Sequence, residues 1–230
     1  MKAHGSLCLL FLLGLMLQAG DFRWVKAPYQ WHAGGVVATK IVDLQGEPFR
    51  IHYSSRRKAP MKITLVDASQ AARKKSPKTV VDSSLLATAG YREYSGYQQA
   101  YLIIEGDPRG WDVSLDLYLD SLQEWRLKTA LEDEEKAVFR KRGFWTGEGT
   151  QTVAFEPGEA PWRITAVGDK PVPMKVTVQA ADEIVLFQRT TQIAGGESSG
   201  WIHSTKPVTI TVEAAPELSW TLEAAVETRK

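Results

Sequence analysis

Cysteine is almost absent from this sequence. The 230 residues contain one, Cys8, which lies in an apolar stretch near the start of the chain. A chain with a single cysteine cannot form an intramolecular disulfide, so a disulfide-stapled scaffold is excluded. The paired cysteines of a zinc ribbon are excluded for the same reason. We therefore expect packing alone to stabilise the fold.

A surplus of charge is also absent. Lys and Arg number 28 and Asp and Glu number 27, which gives a formal net charge of +1. This balance excludes a strongly basic nucleic-acid binder, and we expect no nucleic-acid partner. No run of 18 apolar residues occurs after residue 20, so no transmembrane segment is expected there. The remaining composition is that of a folded globular protein.

Residues 1–20 have the pattern of a signal peptide. Lys2 supplies a basic start, the apolar run 7–17 is too short to span a bilayer, and Ala19 and Gly20 are small enough to precede a cleavage site. The alternative is an uncleaved N-terminal anchor helix. We interpret the segment as a signal peptide and expect the mature protein to be periplasmic or secreted.

The motifs of common catalytic and metal sites are missing as well. After the leader, His32, His52 and His203 are separated by 20 and 151 residues, unlike the closely spaced ligands of zinc sites. No H-E-x-x-H, D-x-D-x-D-G or G-x-S-x-G sequence occurs. We therefore predict a non-enzymatic protein with no metal and no cofactor. A Ser–His–Asp unit assembled from distant loops stays open.

The chain repeats itself. Residues 34–68 align without a gap on residues 147–181, with ten identities. The shared cores are P-F-R-I against P-W-R-I and P-M-K-I-T-L against P-M-K-V-T-V. Farther along, S-G-Y aligns with S-G-W, and Trp111 aligns with Trp220. Ordered recurrence of separate motifs indicates an internal duplication.

Alternating apolar and polar residues predict β-strands within both copies, as in residues 62–66, 175–179 and 207–213. Glycine- and proline-containing turns separate these runs, which is typical of antiparallel sandwiches. The sequence therefore predicts an all-β fold of two tandem duplicated antiparallel β-sandwich domains, Ig-like or jelly-roll-like, joined by a short helical connector. The expected boundaries are 21–120 for the first repeat, 121–143 for the connector and 144–230 for the second repeat.

The connector breaks the strand pattern. Ser121 with Glu124 fits a capping box, and Gly143 fits a C-terminal cap, so the sequence predicts a helix over 121–142. Three apolar residues fall on one helical stripe: Leu127, Leu131 and Val138. The alternative is a charged linker that is only partly ordered.

These motifs resemble those of tandem small exported β-sandwich domains found in uncharacterised bacterial secreted proteins. The resemblance rests on the P-W-R-I strand, the later S-G-Y or S-G-W strand, and the W-x-V or W-x-L strand that follows it. It covers both repeats. It implies a β-sandwich fold and an exported setting, and it implies no particular activity.

Aromatic residues are the strongest remaining feature. All eight tryptophans lie after residue 20. Trp111 of the first copy aligns with Trp220 of the second, and Phe49 aligns with Trp162. Aromatic rings at equivalent positions of alternating strands are expected in the core.

The candidate binding residues are aromatic or lie beside aromatics. Trp24 and Trp125 have no counterpart in the other repeat, so they either pack the connector or present an exposed stacking face. Tyr91, Arg92 and Tyr94 belong to a tyrosine-rich segment of the first repeat, which either binds a ligand or is an ordinary hairpin with alternate rings buried.

Arg50 and Arg163 occupy the same place in the two repeats. Each is expected to point outward and cover a neighbour or pair with a carboxylate, and the alternative is a duplicated ligand-binding arginine.

Three functions follow from these features. The leading interpretation is an exported, non-enzymatic binding or interaction protein whose partner is a protein or a cell-surface polysaccharide. The alternative is a carbohydrate-binding module that uses exposed Trp and Tyr side chains. The third is a small exported hydrolase with a site between the repeats.

Overall fold

The fold is all-β, and its antiparallel strands form large sheets. The computed structural model describes residues 21–69, 77–82, 89–191 and 197–228, so the predicted signal peptide lies outside the described residues. We refer to residues 21–119 as the first half and residues 138–228 as the second half.

The described part of the first half contains nine strands. They are β1 (Arg23–Ala33), β2 (Val36–Ala38), β3 (Val42–Asp43), β4 (Phe49–Ser55), β5 (Lys62–Asp67), β6 (Lys78–Asp82), β7 (Ala89–Tyr94), β8 (Gln99–Glu105) and β9 (Trp111–Leu119).

The described part of the second half contains eight strands. They are β10 (Val138–Glu148), β11 (Gln151–Phe155), β12 (Trp162–Gly168), β13 (Met174–Ala180), β14 (Val185–Thr191), β15 (Glu197–Ile202), β16 (Val208–Ala214) and β17 (Ser219–Thr228).

Each half pairs its strands in the same order. One sheet of the first half runs β1-β9-β4-β7, and the corresponding strands of the second half run β10-β17-β12-β15. The other strands run β2-β8-β5-β6 and β11-β16-β13-β14, with β3 also paired to β8. All these pairings are antiparallel, as the alternating sequence pattern predicts.

The short strand β2 joins the two halves. Its residues Val36–Ala38 pair with β8 of the first half. Val36 also pairs with Gln188 of β14, and Ala38 pairs with Trp201 of β15. One hydrogen-bonded network of 13 strands therefore runs from the first half into the second.

Alternate residues of the strands fill the core. In β4 the buried residues are Phe49, Ile51 and Tyr53, and in β12 they are Trp162, Ile164, Ala166 and Gly168. Because side chains alternate across a strand, the residues between them face outward.

Two recurring tryptophans are fixed in the same way. Trp111 and Trp220 are buried, and each indole N–H donates to a backbone carbonyl: that of Gly35 at 3.2 Å and that of Gly149 at 2.8 Å. Gly106 gives Trp111 its room, because a Cβ there would lie 2.7 Å from the indole. The prediction that these rings are core residues is confirmed.

The helix α1 (Ser121–Glu134) is the only helix among the described residues. It begins at Ser121 as predicted, but the capping box lies one residue earlier, because Asp120 is the N-cap. The Asp120 carboxylate accepts from the Gln123 backbone N–H at 2.7 Å, and the Gln123 side chain accepts from the Asp120 N–H at 2.9 Å. Glu124 instead pairs with Arg23 and with Lys128.

The helix also ends earlier than predicted. Residues from Val138 onward form β10, which pairs along its length with β17. The pairing runs from Val138 opposite Thr228 to Glu148 opposite Ser219. Gly143 therefore lies inside a strand and is not a helix cap. Leu127 is buried as expected, whereas Val138 is exposed in β10, because sheet pairing overrides the local helical pattern.

The one helix among the described residues is neither long enough nor apolar enough to cross a membrane.

The buried tryptophans generate a first prediction. Trp111→Ala should lower the free energy of unfolding by about 3–5 kcal/mol, because it leaves a large cavity and removes a buried hydrogen bond. Trp125→Ala is the matched control, since Trp125 is 62% exposed, and its effect should stay within about 0.5 kcal/mol. Chemical denaturation measures both, and equal losses would contradict the assignment of Trp111 to the core.

A histidine contact between the halves generates a second prediction. The His203 ring stacks on Tyr101 at 3.7 Å between centroids, and its Nε2–H donates to the Thr39 carbonyl at 2.7 Å. Burial lowers the pKa of His203, and the Thr39 hydrogen bond offsets this in part.

The folded-state pKa of His203 therefore lies below its unfolded value of about 6.5. As the pH falls, the unfolded chain takes up the proton on His203 before the folded protein does. The free energy of unfolding therefore keeps its full value above about pH 6.5 and decreases as the pH drops from there toward the folded-state pKa. His203→Gln keeps the donor but cannot titrate, so its denaturation midpoint should fall less than that of wild type between pH 7 and pH 5. Parallel pH profiles would contradict this.

Candidate functional site

The outward-facing side of the sheet β1-β9-β4-β7 carries a dense group of aromatic and polar side chains. The strand registers place Arg50 between Asp116 and Glu93, and His52 between Ser114 and Tyr91. Trp24 lies opposite Tyr118 at the neighbouring end of β1. We call this group the outer sheet face: Trp24, Arg50, His52, Tyr91, Glu93, Asp116 and Tyr118.

Arg50 is the centre of the outer sheet face. Its Cζ lies 3.7 Å from the centroid of the Trp24 ring and 5.4 Å from that of the Tyr91 ring. Its Nε donates to Glu93 Oε2 at 2.9 Å. One guanidinium thus brings together Trp24 and Tyr91, two of the residues that the sequence singled out, from strands that are not neighbours.

The aromatic rings continue on both sides of Arg50. The Trp24 ring lies 5.2 Å from Tyr118, which in turn stacks on Phe22 at 5.5 Å. On the other side, the Tyr91 ring lies 5.4 Å from the His52 ring. The result is a row of rings across the sheet, in contacts of the length that aromatic pairs favour.

Asp116 holds the neighbouring groups of the outer sheet face in place. It is a buried carboxylate: Oδ1 accepts from the Ala27 backbone N–H at 2.9 Å, and Oδ2 lies 3.0 Å from His52 Nε2. Ala27 has a φ of 47°, within the irregular stretch of the β1–β9 pairing between Val25 and Tyr29. The bulge turns the Ala27 N–H toward Asp116, so the carboxylate fixes both the strand and the imidazole.

A second histidine–carboxylate pair lies farther along the same face. His32 Nδ1 is 2.5 Å from Asp112 Oδ1. The hydrogen bond from His32 and the nearby Arg56 guanidinium hold the pKa of the Asp112 carboxyl below its usual value. Asp112 is therefore an anion at neutral pH.

The histidine–carboxylate pairs bear on the hydrolase alternative. Within the described ranges, no serine or threonine hydroxyl is hydrogen-bonded to His32 or His52, although Ser54 donates to Asp112 at 3.5 Å. The described residues also contain no cluster of three or more His, Cys, Asp or Glu side chains suited to a metal. The absence of catalytic activity stays a prediction.

Arg92 and Tyr94 lie on the opposite side of β7 from Tyr91. The Tyr94 ring packs 5.9 Å from Phe49, and its hydroxyl donates to the Val80 carbonyl at 3.0 Å. Burial raises the pKa of that hydroxyl. Arg92 is opposite the buried Ile51. The tyrosine-rich segment is therefore a strand with alternating faces, and only Tyr91 among the three candidates reaches the outer sheet face.

Trp125 lies on α1 and not on the outer sheet face. It is 62% exposed, and Leu122, one helical turn before it, is 55% exposed. These two side chains form a separate apolar patch.

Part of the outer sheet face was not predicted from the sequence. Arg50 was expected to cover a neighbour or pair with a carboxylate, and it does both. His52 was considered only as a metal or catalytic group, and Glu93, Asp116 and Tyr118 were not singled out. The sequence of β4 already indicated part of this face, because a period of two places Arg50 and His52 on the same side of the strand P-F-R-I-H-Y. The strands that pair with β4 could not be predicted from the sequence.

No protein-family model matches the chain, and no curated protein matches it. Among solved structures, it is similar to the M60 catalytic domain with the CBM51-1 and CBM51-2 domains of Clostridium perfringens ZmpB, with 10% identity and a TM-score of 0.29 over 91% of this chain. This chain spans 39% of the length of that one.

The chain is also similar to the CBM22-1–CBM22-2 tandem domain of Paenibacillus barcinonensis Xyn10C, with 12% identity and a TM-score of 0.24, over 92% of this chain and 98% of the other. Both structures contain carbohydrate-binding modules. At these TM-scores the likeness carries no argument about the fold or the function of this chain.

The hydrogen bonds of the buried Asp116 carboxylate generate a third prediction. Asp116→Ala should lower the free energy of unfolding by about 1–3 kcal/mol, because it leaves the Ala27 N–H unpaired. Glu93→Ala removes a carboxylate of the same face from an exposed ion pair and should cost less than about 1 kcal/mol. Urea denaturation compares the two, and an Asp116→Ala loss no larger than that of Glu93→Ala would contradict the supporting role.

Proposed function

We propose that the protein is an exported binding protein without catalytic activity and that its outer sheet face holds a carbohydrate chain. The observation that carries the proposal is the position of Arg50, with its guanidinium over the Trp24 ring, beside the Tyr91 ring and bonded to Glu93. Export follows from the signal peptide predicted in the sequence.

The chemistry of the outer sheet face suits a sugar. A pyranose ring presents an apolar face of C–H groups and a rim of hydroxyls, so it needs an aromatic surface with hydrogen-bonding groups at its edge. Tyr91 is 53% exposed and supplies the surface. Arg50, Glu93 and His52 supply donors and acceptors beside it, and hydrogen bonds to charged groups are the stronger ones.

The side chains are held in place before any ligand arrives. Glu93 and Trp24 fix the Arg50 guanidinium, and Asp116 fixes His52. A ligand therefore binds without the entropic cost of ordering these groups, which is how preorganised sites gain affinity. The row spans four strands on an open face, which favours an extended chain over a single sugar.

The equal strand orders of the two halves support a tandem duplication of one β-sandwich module, with α1 as part of the connection. The outer faces differ, however. The residues flanking Arg50 are Asp116 and Glu93, whereas those flanking Arg163 are Ala225 and Trp201. We assign the carbohydrate to the first module only.

A protein partner is the second candidate. The exposed side chains Leu122 and Trp125 on α1 favour it, since an aromatic anchor beside an aliphatic group is typical of protein interfaces.

The fourth prediction tests the outer sheet face. Residues 21–230 are titrated with soluble plant and bacterial cell-wall polysaccharides by affinity electrophoresis and calorimetry. Tyr91→Ala should weaken the binding found with wild type by about tenfold or more. Phe144→Ala is the matched control, because Phe144 is 55% exposed on a strand of the second half, and it should leave the affinity unchanged.

Two outcomes would contradict the proposal. One is the absence of binding to every polysaccharide in the panel. The other is loss of binding in Trp125→Ala with full binding in Tyr91→Ala, which would move the site to α1.

A further inference from the structure

A cleft of about 570 Å³ lies between the two halves. The end of β1 and the residues around β2 form one wall, the start of β10 and the strands β12, β14 and β15 form the other, and the end of α1 closes one side. We call it the inter-half cleft and define it by six of its lining residues: Trp31, Lys40, Phe139, Arg163, Arg189 and Trp201. It shares no residue with the outer sheet face.

Two guanidinium groups in the cleft have no carboxylate partner among the described residues. Arg163 stacks on Phe139, with Cζ 4.4 Å from the ring centroid, and its Nε is buried without a hydrogen-bond acceptor. Arg189 donates to the Ser199 carbonyl at 3.3 Å. In the part of the chain that the structure describes, neither forms an ion pair, although Glu197 acts on Arg189 from farther away.

The other charges of the cleft are already neutralised or lie at its rim. Lys40 Nζ is 2.8 Å from Glu227 and 3.4 Å from Glu134. His32 is paired with Asp112. Glu135 is exposed where α1 ends. Arg163 and Arg189 are therefore the cations of the described cleft that have no ion pair, and the carboxylates in excess of Lys40 lie on the side closed by α1.

An unpaired, partly buried guanidinium is costly. Burial lowers the pKa of Arg189, which is the expected effect of removing a cation from water without a counter-charge. A buried donor without an acceptor, such as Arg163 Nε, costs free energy that native proteins rarely leave uncompensated. Because Arg163 Nε is closed to solvent, a ligand in the cleft must reach this arginine through the two terminal nitrogens of the guanidinium, which share its positive charge.

Aromatic side chains complete the cleft. Trp201 lies opposite Arg163 across the β12–β15 pair, and its ring is 6.1 Å from Phe139. Trp31 lies on the wall that the first half contributes. A volume of this size falls within the range of small-molecule sites, which combine aromatic walls with a few directed polar groups.

We infer that the inter-half cleft binds an organic carboxylate of small-molecule size. The carboxylate accepts hydrogen bonds from Arg163 and Arg189, whose planar groups match its two oxygens. The organic body packs against Trp31 and Trp201. The two halves each supply part of the site, so the ligand bridges them.

The experiment uses residues 21–230, with binding followed by tryptophan fluorescence and calorimetry. The probes are glucuronate and benzoate, which carry a carboxylate on two different rings. Glucose, which lacks the carboxylate, and inorganic phosphate, which lacks the ring, are the comparison ligands. Arg163→Met and Arg189→Met keep the aliphatic stem without the charge. Arg140→Met is the control, because Arg140 is an exposed arginine paired with Glu159.

We expect one of the two carboxylates to bind more tightly than both glucose and phosphate. Its affinity should fall by about tenfold or more in Arg163→Met and Arg189→Met and stay unchanged in Arg140→Met. Without ligand, the Tm of the two cleft variants should equal or exceed that of wild type, because an uncompensated charge has been removed.

The inference is overturned if neither carboxylate binds better than glucose, or if phosphate binds as tightly as they do, which would leave an inorganic anion only. A marked fall in Tm for both cleft variants would also overturn it, because the arginines would then stabilise the fold. The affinity for neutral polysaccharide at the outer sheet face is tested by a different variant, Tyr91→Ala. Failure of one proposal is therefore distinguishable from failure of the other.

Discussion

The backbone of β2 is the constraint on which the arrangement of the two halves depends. Its three residues, Val36–Ala38, hydrogen-bond to β8 of the first half and also meet Gln188 and Trp201 of the second. Buried backbone groups must be paired, so the halves cannot slide past each other without leaving some unpaired. The contact continues at Thr39, whose carbonyl accepts from His203. Because β2 and the residues after it line the inter-half cleft, the pairing also fixes the walls of that cleft.

The two proposed sites use arginine in opposite ways. On the outer sheet face, Arg50 is satisfied by Glu93 and by the Trp24 ring, so it presents a fixed polar edge beside an exposed aromatic surface. In the cleft, Arg163 stacks on the Phe139 ring, and its Nε has no acceptor within the described part of the chain. Two arginines that align in the sequence thus differ: Arg50 has an ion-pair partner, and Arg163 has none among the described residues. A neutral ligand suits the first environment, and an anionic ligand suits the second.

Local patterns predicted the strands but not what those strands bring together. The alternation around Arg50 could be predicted, because a period of two depends only on neighbouring residues. The burial of Trp111 could be predicted, because Trp111 aligns with Trp220 in a recurring motif. The helix end was misplaced, since pairing of Val138 with Thr228 across 90 residues outweighs the local helical pattern. The site was only half predicted for the same reason. Trp24 and Tyr91 could be chosen as aromatic residues, but their shared contact with Arg50 depends on strand order, which one sequence does not show.

The most direct test of the central claim is the NMR spectrum of the eight tryptophan indole N–H groups during titration with a polysaccharide fragment that binds. We expect the Trp24 signal to move, because its ring belongs to the outer sheet face. The signals of Trp111 and Trp220 should stay in place, because their indoles are buried and bonded to backbone carbonyls. A spectrum in which Trp125 moves while Trp24 does not would contradict the assignment of carbohydrate binding to the outer sheet face.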